Sequence, residues 1–124
     1  MSVSIPVSIG ELWDKYSILE IKREKIKDVD KLKYIKGELD YLEPFIKDNK
    51  FDELFNELKQ VNLKLWTIED DIREKELKNQ FDDEFIHLAR MVYKTNDIRA
   101  EIKKEINKKF NSLIHEVKSY KKYC

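Results

Sequence analysis

Glycine and proline are scarce in this chain, with two of each in 124 residues. Strand-and-turn folds need many such punctuating residues, so their scarcity predicts long helices joined by short connections. Cysteine occurs once, at the terminal Cys124, which leaves no internal disulfide and suits a reducing compartment. No apolar run approaches the roughly 18 residues of a spanning helix. Nor does the amino terminus carry a charged, apolar, small-residue leader. A cytoplasmic protein without a membrane partner is expected. Surplus charge is lacking too, because 25 basic residues face 25 acidic ones. General affinity for nucleic acid needs excess positive charge, so no nucleic-acid partner is expected. What is abundant is charge itself, 40% of the chain, interleaved with apolar residues at helical spacing.

The length is that of one domain, residues 1–124, able to bury its own core. Val3, Ile5 and Val7 alternate around Pro6, which reads as an edge strand or a docked arm. Ser8 and Glu11 form an S-x-x-E capping box, so the first helix should start near Ile9. Its core stripe is Ile9, Leu12, Tyr16, Leu19 and Ile26, with Trp13, Ile18 and Ile21 widening it toward a second neighbour. Asp30 can cap a second helix with Leu32, Ile35, Leu39, Leu42 and Ile46 on one face. Pro44 lies inside that pattern and predicts a kink or break. A third helix runs from about Asp52 to Lys78, with Leu54, Leu58, Val61, Leu65, Ile68 and Ile72 in heptad spacing. Asp82 caps a fourth, Phe81 and Ile86 can staple its start, and Asn111-Ser112 marks its end. Residues 113–120 are open between another helical turn and an extended segment docked on the body. The expected fold is all-α, a compact bundle of four principal helices with an extended N-terminal arm and a docked C-terminal tail.

Candidate functional residues are those that break the helical pattern. On the fourth helix two core-phase positions are Thr95 and Arg99, with Asn96 adjacent and Lys103 one turn on. The third helix carries Asn62, Glu69 and Arg73 beside its seam. A short connection makes the pair antiparallel, and aligning the middles brings Glu69 near Arg99, with Lys22 or Arg23 added from the first helix. One reading is an internal salt-bridge network, since a buried arginine must find carboxylates. The other is a site for a carboxylate- or phosphate-bearing molecule, with Asn62, Glu69, Arg73, Arg90, Tyr93, Asn96, Arg99 and Lys103 as the candidate set. Glu69 would orient the arginines or act as a base. Whether catalysis follows is open.

Other chemistries find little support. Asp40 with Glu43, and Asp71 with Glu74, have the three-residue spacing of helical magnesium sites. In a chain this charged, such pairs arise by chance on solvated faces. His87 and His115 have no neighbouring ligand motif for zinc. No metal or cofactor is expected, no Gly-rich loop exists to cradle phosphates, and no nucleophile stands out. The lysines at 103–104 and 108–109 alternate with Glu101 and Glu105, as on a solvated face.

Several stretches are similar to a small bacterial family of unknown function. They are Pro6-Val7-Ser8-x-Gly10-Glu11-Leu12-x-Asp14-Lys15 with Ile18-Leu19-Glu20-Ile21-Lys22, and Leu65-Trp66-x-Ile68-Glu69-Asp70-Asp71-Ile72-Arg73. Further on come Leu88-Ala89-Arg90-x-Val92-Tyr93-x-Thr95-Asn96-Asp97-x-Arg99, Lys103-x-Glu105-Ile106-Asn107 and Lys118-Ser119-Tyr120. The resemblance spans nearly the whole chain and transfers no catalytic residues. Members are often encoded near sugar-transfer and cell-envelope genes, so it implies that area of metabolism. Trp13, Asn111 (commonly glycine) and Val117 (commonly acidic) depart from the pattern, the last two within or beside the tail. The expected function is binding of a small anionic molecule. The alternative is an adaptor that self-associates as a homo-oligomer through an apolar helix face containing Trp13 and Ile21.

Overall fold

The computed structural model describes residues 1–123, and Cys124 lies outside them. Four helices follow one another: α1 (Ile9–Lys25), α2 (Val29–Ile46), α3 (Glu53–Leu77) and α4 (Asp83–Lys109). No strand occurs among the described residues. The all-α bundle expected from the sequence is what forms.

Each helix starts at a side-chain cap. The Ser8 hydroxyl accepts from the Glu11 amide, Asp28 from that of Lys31, Asp52 from that of Leu54, and Asp82 from that of Phe85. Two of these differ from the sequence reading. Asp28, not Asp30, caps α2, because the break after α1 is two residues shorter than expected. At α1 only half of the capping box forms, since the Glu11 carboxylate is engaged by Lys103. Pro44 does not break α2, which ends two residues later; the amide it lacks is lost only near the helix end. The staple on α4 uses Phe85, whose ring meets Phe81 edge-on at 5.2 Å, while Ile86 stays exposed.

The C-termini of α3 and α4 share one device. Asn79 and Asn111 adopt left-handed backbone with φ of 53° and 54°. Their amides, and those of Gln80 and Ser112, return to carbonyls of the preceding turn in a Schellman arrangement. Asparagine tolerates that conformation better than most residues, which is why Asn111 can stand where glycine is usual. The tail then runs on without helix through residue 123. The amino-terminal residues 1–7 form no strand and leave Val3, Ile5 and Val7 exposed, so the expected edge strand is absent.

The α3–α4 pair is antiparallel. Lys109 at the end of α4 pairs with Asp52 at the start of α3, and Lys75 near the end of α3 pairs with Asp82 and Glu84. α1 packs against all three other helices, whereas the α2 backbone lies close to α1 alone. This central position buries α1 on several sides. Trp13 and Ile21 are each only 1% exposed, so neither offers a face for self-association. Trp13 meets Phe110 at 4.9 Å and Phe55 at 6.1 Å, in a core completed by Tyr16, Leu19, Ile35, Leu39, Ile46, Leu58, Ile102 and Ile106. Beside it Tyr16 donates to Glu43, which also holds Lys50 at 2.8 Å and fastens the α2–α3 loop.

Gly10 allows α1 to cross close to α4. A Cβ there would lie 2.7 Å from the Lys103 carbonyl oxygen and 3.0 Å from Asn107 Oδ1. The crossing serves the start of α1: Gly10 donates its amide to Asn107 Oδ1 at 2.7 Å, and Ile9 to Ser112 Oγ at 3.1 Å. Amides that a helix leaves orphaned are thus satisfied by its neighbour. Gly37, in contrast, faces open space. Gly10→Ala should therefore destabilise the protein by about 1–3 kcal/mol through overpacking. Gly37→Ala should stabilise it by about 0.5–1 kcal/mol through helix propensity. Urea unfolding midpoints of the two variants check this opposition, and equal effects would contradict the close crossing.

Candidate functional site

α1 places Gly10, Asp14 and Ser17 on one face, at the spacing of successive helical turns. Asp14 is 2% exposed, a carboxylate almost withdrawn from water. Leaving such a charge unpaired would cost several kcal/mol, and the surrounding donors match it. Arg99 donates Nε to Asp14 Oδ1 at 2.9 Å and an Nη2 hydrogen to Oδ2, a two-pronged grip from α4. Asn62 on α3 donates Nδ2 to Asp14 Oδ1 at 2.9 Å and to Ser17 Oγ at 2.9 Å. Ser17 donates its hydroxyl hydrogen to the Asp14 carbonyl at 2.8 Å. Three helices thus meet on one carboxylate.

Lys103 lies one turn beyond Arg99. Its ammonium donates to Glu11 at 2.8 Å and to Glu116 of the tail at 3.0 Å, and stands 3.8 Å from Asp14 Oδ2. Burial works against its charge, but the hydrogen bonds it donates to Glu11 and Glu116 and the charge of Asp14 outweigh that and raise its pKa. The Asp14 hydrogen bonds likewise raise Arg99, against its burial. Glu116 is held below its ordinary value by Lys118 and then Lys103. The two cations have different counter-ions. Asp14 is buried, whereas the side chains of Glu11 and Glu116 are 49% and 40% exposed.

A cleft of about 530 Å³ opens beside this cluster, between the start of α1, the outer face of α4 and the tail. Arg99 and Lys103 border it with Glu11, Asn96, Tyr93 and Glu116. Asn96 accepts from Arg99 Nη1 at 3.3 Å. The ring of Tyr93 meets that of Tyr123 edge-on at 5.3 Å, and Tyr123 donates to Asp97 at 2.6 Å.

Of the residues selected from the sequence, Asn62, Asn96, Arg99 and Lys103 gather around Asp14, and Tyr93 joins them at the cleft. Glu69, Arg73 and Arg90 do not; all three are exposed. The expected Glu69–Arg99 pair is absent because the antiparallel register sets Arg99 opposite Asn62, about two turns from Glu69. From residue 69 to 94 no residue is buried, so that end of the α3–α4 pair has no interior to hold a polar cluster. Lys22 and Arg23 are not part of it either; Arg23 is exposed and lies 3.9 Å from Glu20. Asp14, Ser17, Glu11 and Glu116 were missed. The available signal was one of only two glycines followed by small polar residues at helical spacing, on a helix whose apolar stripe was too wide for one neighbour.

One carboxylate of each acidic pair with magnesium spacing is otherwise engaged: Glu43 by Tyr16 and Lys50, Glu74 by Lys78. Among the described residues no group of three or more His, Cys, Asp or Glu is arranged to hold a metal ion. None of their helices is long and apolar enough to cross a membrane. The Thr95 hydroxyl, one turn before Arg99, is buried and lacks a hydrogen-bond partner among them.

These features define a helical bundle with a buried carboxylate–guanidinium centre and a polar cleft at its edge. The chain belongs to a family of unknown function (DUF6165), whose model matches residues 1–123. No curated protein and no solved structure matches it significantly.

Asp14→Ala should lower stability by about 3–5 kcal/mol, because Arg99 loses the carboxylate that offsets its burial. The midpoint of urea unfolding at constant slope measures this. A loss below about 1 kcal/mol would mean that Asp14 does not organise the bundle.

The pH dependence follows from Glu43, Asp52, Asp82 and Glu116, all with lowered pKa in the fold. Their contribution is complete above the ordinary carboxylate range of about 4 and is lost as pH falls through the folded values. Urea midpoints should be level from pH 7 to 5 and fall below pH 4, and a rise there would contradict the assigned directions.

Proposed function

We propose that the chain binds a small molecule bearing a carboxylate or phosphate in the cleft between α1, α4 and the tail. The observation that supports this is Lys103, a buried ammonium at the cleft whose hydrogen-bonding counter-ions, Glu11 and Glu116, are half-exposed side chains. Water can take over either carboxylate at little cost, which leaves the ammonium available to a ligand oxygen. Arg99 has a different task in this reading, because its charge is matched by Asp14 and its removal would loosen three helices. Asn96 and Lys118 supply further donors at the rim, and Tyr93 an apolar wall. The salt-bridge network and the ligand site thus take different halves of one cluster. A cytoplasmic setting in sugar or cell-envelope metabolism is proposed with this function, and phosphorylated sugars, nucleotides and dicarboxylates are the compounds to screen.

A thermal-shift screen tests this. A true ligand at a hundred times its dissociation constant adds about 2.7 kcal/mol, or about 10 °C in Tm for a chain of this size. Lys103→Met should abolish that shift while the variant stays folded, since Glu11 and Glu116 return to solvent. If no compound raises the Tm of either the wild type or Glu116→Gln, or Lys103→Met responds as wild type does, the cleft is not a binding site.

A second reading, self-association, is favoured by α2. Tyr34, Tyr41 and Phe45 are exposed and fall on one face of that helix. A concentration-independent monomer mass by light scattering would exclude it.

A further inference from the structure

The tail is anchored at its base and held only by side chains beyond it. Ser112 returns its amide to Asn107 and accepts the Ile9 amide, which ties the base to α4 and α1. The Ser112 hydroxyl also donates to the Ile114 carbonyl at 2.7 Å, but from residue 113 to 122 no backbone–backbone hydrogen bond to the body occurs among the described residues. Leu113 and Val117 face water, so apolar burial does not hold the segment either. What holds it is Glu116 on Lys103, together with Tyr123 on Asp97 and against the Tyr93 ring. There is space on both sides of the Glu116 link. The cleft of about 530 Å³ adjoins a second of about 440 Å³ that reaches Lys104, Asn107 and His115, and Lys103 and Glu116 border both. The tail crosses α4 with the Lys103–Glu116 pair as a pier between two hollows.

We propose that this tail is a displaceable strap whose Glu116 carboxylate occupies, on Lys103, the position of the ligand's own carboxylate or phosphate. Binding of such an anion replaces Glu116 and loosens the tail, which then keeps its Tyr123 contacts with Asp97 and Tyr93. The inference rests on the ligand-binding reading of the same cleft. Its chemistry is an exchange of one oxyanion for another on a single ammonium, so no new cationic site is needed. An ion pair with one half-exposed partner is weak enough to exchange. Tethering supplies the internal carboxylate at a high effective concentration, so the strap competes with any free anion. By linkage, whatever weakens the strap strengthens anion binding, by as much as the same factor while the strap is mostly closed.

The single thiol of the 124-residue chain, Cys124, allows a spin label to be placed next to the described tail, with inorganic phosphate as the probe. In the wild-type protein, phosphate should raise label mobility, whereas chloride at equal ionic strength, which only screens, should not. Glu116→Gln should raise mobility without phosphate and tighten phosphate binding three- to tenfold. Lys103→Met should raise mobility and abolish phosphate binding. If phosphate stabilises wild type through Lys103 but Glu116→Gln binds it no more tightly and the label does not respond, the strap is overturned and the cleft reading stands. Binding by Glu116→Gln alone supports the strap as a mask over the site. No phosphate binding by either protein overturns both.

Discussion

The carboxylate of Asp14 is the constraint on which the bundle depends. A charge withdrawn from water must be met by hydrogen bonds of good geometry, or the folded state carries a penalty of several kcal/mol. Here the donors come from two further helices: Asn62 on α3 and Arg99 on α4. Matching them to one carboxylate sets where α1 crosses the pair and which residues of α3 and α4 stand opposite each other. Apolar packing alone tolerates slippage, because a heptad face moved by seven residues presents a similar surface. The polar centre removes that freedom. Gly10 completes it by permitting the close crossing that carries Asp14 inward.

What was legible in the sequence was local. The caps at Ser8 and Asp82 act within three residues of themselves, and the heptad of α3 reports its own buried face. The helix order and near-correct ends follow from such short-range rules. The register between helices depends on partners far apart in the chain, and there the reading failed. Aligning the midpoints of α3 and α4 sets Arg99 opposite Asn62, as the Asp52–Lys109 and Asn62–Asp14–Arg99 contacts show, and pairing Glu69 with Arg99 misplaces that register by about two turns. Asp14 was passed over because an acidic residue off the apolar stripe is ordinarily solvated. Only the burial of α1 on several sides makes it otherwise, and that depends on the whole fold.

The two cations of α4 show how burial divides residues of similar chemistry. Arg99 is planar, grips Asp14 with two nitrogens and is committed to the fold. Lys103, a turn away, is a point charge held by side chains that retain access to water. Removing the counter-ion of the first would leave its guanidinium without the buried carboxylate that it grips with two nitrogens. For the second, replacement exchanges one solvated carboxylate for another oxyanion. The pair with the buried carboxylate belongs to the floor of the cleft, and the pairs with half-exposed carboxylates to its rim.

The rim is also where local stability is lowest. Residues 9–112 are tied by helical hydrogen bonds, caps and core packing, down to the Ser112 hydroxyl that receives the Ile9 amide. Beyond the bond from the Ser112 hydroxyl to the Ile114 carbonyl, the backbone through residue 122 has no such ties to the body among the described residues. Segments held by a few exposed links open far more readily than those sharing the core. The left-handed turn at Asn111 aims the tail back over α4, so Glu116 meets Lys103 without any pairing of backbones. A well-ordered floor with a weakly held cover is what anion exchange at Lys103 requires. Movement of the cover breaks neither the Asp14 centre nor the packing around Trp13.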